Sequence, residues 1–439
     1  MVENSSSIDS DLKPEIEKVE IYKEFIAGLT TFFTIAYIVV VNPAILSTKG
    51  TGLPYAGVLT ATVLLCFSMT LFMGLYARLP FAVAPGMGIN AFFTYTVILG
   101  KQVPWETALA MVFWSGVLFV LISVTPIREE IAKSIPLEIR VGVAAGIGIF
   151  LALIGLQNAG IIVAHPITLV TFGKINYKCI FMLIGACVML WLYERKNPLA
   201  FLSGIFLITI MAFFSGDVKL PESFFSKPDF SLFGRLDFVG ALKLSLVPTI
   251  ISLFFTDFFD SISTFIGVSH ACGMLDEKGQ PKNLKEGLIV DAFATLTGGI
   301  FGTSSGTAYI ESASGIEVGG QTGLTSVFTA LCFLPCLFLA PLAMMVPAFA
   351  TAPVLVIVGA LMFKSIATLN LNKIEDLVPV YLTMILIPLT FSITLGILWG
   401  FISHVFLYVM VGRRKDVAAM MYIIAALSIG LLLLEHGKF

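Results

Sequence analysis

The sequence predicts an all-α integral membrane protein, and three observations carry that reading. Of 439 residues, 57% are hydrophobic and only 12% charged, with a mean hydropathy of +0.97, whereas a soluble globular chain is about half apolar and a quarter charged. Apolar runs of the length a spanning helix needs, about 20 residues, recur along nearly the whole chain. The polar links between them leave no room for a soluble domain of ~100 residues. Two of the runs are interrupted by Gly, Pro and hydroxyl residues, as in helices broken inside a bundle.

Taken in order, the opening "MVENSSSIDSDLKPEIEKVEIYKEF" is polar and acidic. It lacks the apolar core and cleavage site of a secretory signal, so 1–21 is expected to be a cytosolic tail. Runs follow at 24–46, 56–77, 82–99 and 105–124. The third contains "PFAVAPGMGINAFF", in which Pro85, Gly86 and Gly88 rule out one uninterrupted lipid-facing helix. Next come 141–157, 177–193 and 199–215, then a long link of mixed charge, 216–243, and the run 244–270. After 286–301 comes the second broken run, 303–318, within "GIFGTSSGTAYIESASGIEVGGQTG"; "GTSSGT" lacks the Gly-Lys-Ser/Thr ending of a phosphate loop. The runs 322–347, 353–369, 377–393 and 395–411 lead to the basic "GRRKD" and a fifteenth run, 418–434.

Orientation follows from Lys and Arg in short links. With Lys13, Lys18 and Lys23 cytosolic, alternation puts Arg78, then Arg128, Lys133 and Arg140, then Arg195 and Lys196, then Lys278, Lys282 and Lys285 on the same side. The link 216–243 then lies outside, where its acids offset Lys219, Lys227, Arg235 and Lys243. The six cysteines (Cys66, Cys179, Cys187, Cys272, Cys332, Cys336) form no CxxC pair, so they are expected to be small buried hydrophobes, with no metal site and no cofactor. No basic stripe points to nucleic acid.

Internal symmetry is faint but repeated. "FFT" recurs at 32–34 and 254–256, and the same offset of residues carries "APGMGINAFF" (84–93) onto "GTAYIESASG" (306–315). Seven runs per half is an odd number, so the second half would cross the membrane inverted relative to the first, the plan of many secondary transporters.

The chemistry concentrates in three acids. An ionisable group at the bilayer centre costs about 2.5–3.5 kcal/mol on insertion scales, so it normally faces a cavity. Asp257, Asp260 and Glu311 stand out in this respect. On a helix the first two share a face one turn apart, without both pointing straight at one ligand.

The quoted stretches, with "TIAYIVVVNPAIL", "GLQNAG", "FFTDFFDSISTFIGV" and "PLTFSITLGI", resemble the nucleobase:cation symporter 2 (xanthine/uracil permease) family over about 20–411. They are most similar to its adenine/guanine/hypoxanthine (AzgA-like) branch. The resemblance implies a UraA-like fold of 14 transmembrane segments in two inverted sets of seven, with extended stretches in segments 3 and 10. It implies a core domain from 22–125 and 244–349, a gate domain from 126–215 and 350–411, and 216–243 as an extracytoplasmic loop. The segment 412–439 is surplus to that plan. Carried onto this sequence, the substrate-binding residues are Asp257, Glu311 and Asn90, with Gly88 in the broken segment, and the proton-coupling acids are Asp257, Asp260 and Glu311. Asp257 is expected to dominate affinity and Asp260 to act in coupling.

The implied activity is import of purine nucleobases through the plasma membrane, with a proton or sodium as coupling ion. A homodimer is left open. Residue chemistry agrees: a flat neutral purine needs acceptors for its N–H groups, a donor for its ring nitrogens and apolar walls. Phe33 and Phe259, with Phe92, Phe93 and Phe255, are candidate walls. A carboxylate in a low-dielectric cleft also binds protons more tightly. An intramembrane aspartyl protease is disfavoured, because Asp257 and Asp260 share one helix and "FSGD" (214–217) lacks the Gly-x-Gly-Asp pattern. An anion exchanger or channel of the same fold would favour a neutral or cationic site over a doubly acidic one.

Overall fold

The computed structural model describes residues 20–125, 134–275 and 281–436. The expected tail up to residue 19, with Lys13 and Lys18, and the link residues Arg128, Lys133 and Lys278 lie outside the described residues. α1 (Ile21–Ile35) and α2 (Ile38–Leu46) form one apolar run. It tightens at Ala36–Tyr37, where the Val39 and Val40 amides donate to the Ala36 and Tyr37 carbonyls, a three-residue spacing narrower than the α-helix. α3 (Tyr55–Phe72) widens over Met73–Ala77 and ends at Arg78, whose φ is 55°. Then come the strand β1 (Val83–Pro85), α4 (Met87–Ala91, continuing as wider helix to Gly100) and α5 (Trp105–Val124).

α6 (Leu137–Asn158) is followed by a hairpin of β2 (Ile162–His165) and β3 (Leu169–Phe172), which the apolar pattern did not announce because it lies in a link. α7 (Tyr177–Glu194), α8 (Ala200–Phe214), α9 (Val247–Ala271) and α10 (Leu284–Phe301) lead to β4 (Gly306–Ala308) and the short α11 (Ala313–Glu317). The expected run 322–347 is divided. α12 (Gly323–Phe333) passes into a tighter turn at Leu334–Phe338 and a separate turn at Ala340–Met344, because Pro335 and Pro341 each remove a helical donor. α13 (Ala348–Phe363), α14 (Ile374–Thr390), α15 (Ile393–Met410) and α16 (Ala419–His436) complete the chain.

The protein is thus mostly helical. Among the described residues, eight helices are long and apolar enough to cross a membrane, and four apolar helices are shorter. Their packing falls into two groups. α1, α2, α3, α5, α9, α10 and α12 contact chiefly one another, and so do α6, α7, α8, α13, α14 and α15. α16 lies against α15 and α9; Met421 and Ile424 are buried there, while Ile423, Leu427 and Leu433 face outward.

Polar caps hold the first group together. Buried Glu24 on α1 accepts from the amides of Gln321, Thr322 and Thr325, each at 3.1 Å. This sets a carboxylate at the start of α12, where unpaired N–H groups and the helix dipole favour negative charge. The 216–243 link is tied down as well: the Asp229 amide donates to Thr60 Oγ1 (3.0 Å), and the Gly234 and Asp237 amides donate to the Ile300 and Glu106 carbonyls. The Gly240 amide and the Thr107 hydroxyl hold the Asp237 carboxyl below its usual range.

In the second group α6 and α13 meet backbone to backbone. A Cβ on Gly148 would collide with the Gly359 carbonyl, and one on Gly359 with the Gly148 carbonyl. Gly148→Val should therefore lower the thermal midpoint of the detergent-purified protein, since overpacking a tight contact costs about 1–3 kcal/mol. Gly430→Ala, where a Cβ meets open space, should leave it unchanged. Equal midpoints for the two variants would contradict this packing.

Candidate functional site

The two broken runs meet each other. β1 and β4 pair antiparallel, with Val83 opposite Ala308, Ala84 opposite Thr307 and Pro85 opposite Gly306. The Gly86 amide donates to the Ser305 carbonyl (2.9 Å) and the Tyr309 amide to the Ala82 carbonyl (3.0 Å), extending the ladder beyond both strands. Each strand thereby satisfies backbone groups that a broken helix leaves unpaired. The Tyr309 hydroxyl adds a bond to the Pro85 carbonyl (2.5 Å).

A cavity of about 80 Å³ opens beside this crossing. Asp260 and Thr264 of α9, Tyr37, Gly86–Gly88 and Thr307–Glu311 line it from the first packing group, and Val358 and Met362 of α13 from the second. The α13 side chains Val358 and Met362 close it on the side opposite the strands. A wider depression, about 490 Å³, lies between the 216–243 link and the start of α5, lined by Glu106, Arg235 and Asp237. It is open loop surface and touches none of the buried acids.

The expected residues fall into two shells. Asp260, Glu311 and Gly88 line the cavity. A Cβ on Gly88 would strike Ile147 of α6, so glycine permits α4 to approach the second group here. Asp257 does not line it. Fully buried behind β4, its Oδ2 accepts from the Thr295 and Ser305 hydroxyls, while Oδ1 has no protein partner. Asn90 is likewise fully buried, with Oδ1 accepting from the Ser304 hydroxyl. Phe259 stacks on Phe255, with ring centroids 5.6 Å apart, and Phe33 packs on Phe32; neither ring reaches the cavity. Phe92 and Phe93 are buried in the core.

Three further residues belong to this constellation. The Tyr37 hydroxyl donates to Glu311 Oε1 at 2.9 Å. Asp291 of α10 is fully buried and its Oδ2 accepts from the Ala308 amide (3.1 Å) and the Thr307 hydroxyl (3.3 Å), so it braces β4 from behind. Asn42 donates to Thr62 (2.6 Å) and Thr303 (2.9 Å). Asp291 carried a readable signal, a lone carboxylate in "GLIVDAFATL". Tyr37 carried none, because a tyrosine in an apolar run is ordinary.

At the surface, Lys196 pairs with Glu317 at 2.9 Å, joining the turn between α7 and α8 to the end of α11. Glu317 holds the Lys196 ammonium above its usual range. Behind β4, Ser305→Ala and Thr295→Val each remove one hydroxyl donor from a fully buried carboxylate, a loss typically costing about 1–3 kcal/mol. Each should lower the thermal midpoint, and the pair combined should fall further than either. Wild-type midpoints in all three would mean that Asp257 does not depend on these donors.

The chain shares its fold with the transmembrane domain of a cyanobacterium bicarbonate transporter, BicA, at a TM-score of 0.64 over 88% of this chain and 98% of that one, with 16% sequence identity. SLC26A9 aligns with a TM-score of 0.62 at 10% identity, over 89% of this chain and 65% of that one. At such identities the likeness is one of fold. Sequence relatives are much nearer. The adenine permease AdeP of Escherichia coli (strain K12) is 40% identical over 408 residues, 92% of this chain and 91% of its own. The guanine/hypoxanthine permease PbuO of Bacillus subtilis (strain 168) is 36% identical over 426 residues, 94% of this chain and 97% of its own. The Permease family profile, Xan_ur_permease, matches residues 22–399. With that match spanning most of its length, the chain belongs to this permease family, a family of transporters rather than enzymes.

Proposed function

We propose that this protein is a secondary active transporter that imports purine nucleobases (adenine, guanine or hypoxanthine) through the cytoplasmic membrane by symport with a proton. The observation that carries the reading is the cavity at the strand crossing, where Asp260 and Glu311 face the same space between two helix groups. Two acceptors suit the N–H edge of a neutral base. They disfavour an anion, which would meet two carboxylates in a medium of low dielectric. The named activities of AdeP and PbuO support the same substrate class.

In this reading the chain crosses the membrane fourteen times in two inverted sets of seven, with its N-terminus in the cytosol and 216–243 outside. The first packing group is the core (22–125 and 244–349), which carries the base. The second is the gate (126–215 and 350–411), against which the core moves. Asp260 and Glu311 hold the base, with Gly88 beside them. Asp257, behind β4, serves with Asp260 and Glu311 in proton coupling; its unpartnered oxygen is a ready seat for a proton. Asn90, Phe33 and Phe259 shape the broken segment, α1 and α9 rather than touching the base.

Glu311→Gln and Asp260→Asn should each reduce purine uptake at least tenfold while leaving the protein in the membrane. An amide turns half of an acceptor pair into a donor, and mismatching a charge-assisted hydrogen bond costs about 1.5–3 kcal/mol. Near-normal affinity in either variant would remove that residue from the site. Coupling is tested in proteoliposomes with labelled hypoxanthine and a competing panel of nucleobases, under proton or sodium gradients imposed separately. Proton-driven accumulation that collapses with a protonophore is the expected result. Accumulation driven by sodium alone would replace the ion, and accumulation driven by neither would reduce the protein to a facilitator.

A further inference from the structure

We propose that Tyr37 is a positioning residue for the substrate, fixing Glu311 as an acceptor and tying it to the helix group across the cavity. The inference rests on the purine reading above and assigns a role to a residue that reading does not use. The Tyr37 hydroxyl donates to Glu311 Oε1 at 2.9 Å, and both side chains line the cavity with Asp260. A glutamate carboxylate turns freely about its last torsion. One donor on Oε1 stops that rotation and leaves Oε2 to accept from a ligand N–H.

A buried phenol needs some acceptor, so the bond alone could be mere satisfaction. Tyr309, the other tyrosine lining the cavity, finds a main-chain carbonyl, that of Pro85. Tyr37 instead reaches a cavity carboxylate 274 residues away in sequence. Its backbone explains how. Tyr37 occupies the tightened turn between α1 and α2, a local departure from the α-helix of the kind that often marks a functional position.

The ring has a second contact. Its centroid lies 5.0 Å from that of Phe201 on α8, which in turn lies 5.9 Å from Tyr193 on α7. Tyr37 thus bridges the two packing groups through one side chain, its hydroxyl on Glu311 and its face on the opposite layer. A base seated on Glu311 bears on that layer through the same ring.

The test compares wild type, Tyr37→Phe and Glu311→Gln in proteoliposomes, each prepared from the monodisperse fraction so that yield does not enter. Tyr37→Phe keeps the ring and its contact with Phe201 but removes the donor. KM for hypoxanthine should rise about tenfold or more, the scale of one hydrogen bond to a charged group, with Vmax within about twofold. Discrimination against the least tolerated N-methyl derivative of the base should shrink, because the acceptor that reads the N–H is no longer held. An unchanged KM and unchanged discrimination, with only Vmax or yield falling, would overturn the inference and reduce the phenol to packing. If Glu311→Gln abolishes uptake while Tyr37→Phe keeps the wild-type KM, the purine reading stands and this inference fails. If wild type binds no purine, both fail.

Discussion

Non-helical backbone among membrane-spanning helices must find partners for every amide and carbonyl it frees, because hydrocarbon supplies none and each unmet group costs several kcal/mol. The mutual pairing of β1 with β4 meets that demand. Three residues on each side, extended by the Gly86 and Tyr309 amides, let two stretches from opposite halves of the chain stay open at the same place. The cavity follows from that choice. The strands and their flanking residues form part of its wall, with Glu311 just past β4 and Asp260 facing it from α9.

Around the crossing the carboxylates divide by depth. Asp260 and Glu311 look into the cavity, whereas Asp257 and Asp291 stand behind β4, surrounded by hydroxyls and the Ala308 amide. The one-turn spacing of Asp257 and Asp260 on α9 produces this division: the two share a helix face yet differ in azimuth by most of a right angle. In the proposed reading the front acids meet the ligand, and the rear ones brace the strand beside it. Tyr37 spans from Glu311 to Phe201, so one side chain joins the cavity wall to the second helix group.

Much of this was legible in the sequence, because each part rests on a local rule. Every expected apolar run is occupied by helix or by a strand with its following helix, since run length and composition are local properties. The breaks at Pro85–Gly88 and Gly302–Gly306 were visible because Gly and Pro act on their own backbone. Asp260 and Glu311 were visible as costly charges. What stayed hidden depends on contacts between distant residues. Nothing local says that Asp257 turns away from the cavity toward Thr295 and Ser305, that Phe259 stacks on Phe255 instead of walling the site, or that Tyr37 finds a carboxylate. The β2–β3 hairpin was missed for another reason: it is an exposed link whose four-residue strands carry no hydrophobic alternation to announce them.

Glu24 bears on how such a chain is made. Its carboxylate lies on α1, yet the amides that receive it lie 297 to 301 residues later. At about 5–20 residues per second, that acid waits some ~15–60 s for its partners while helix after helix enters the bilayer. Until then it must be sheltered by water, lipid headgroups or the insertion machinery. The contact between α1 and the start of α12 therefore forms only once residues 321–325 have been made. Closure of the first packing group is a late event of biogenesis, set by the order in which the chain emerges.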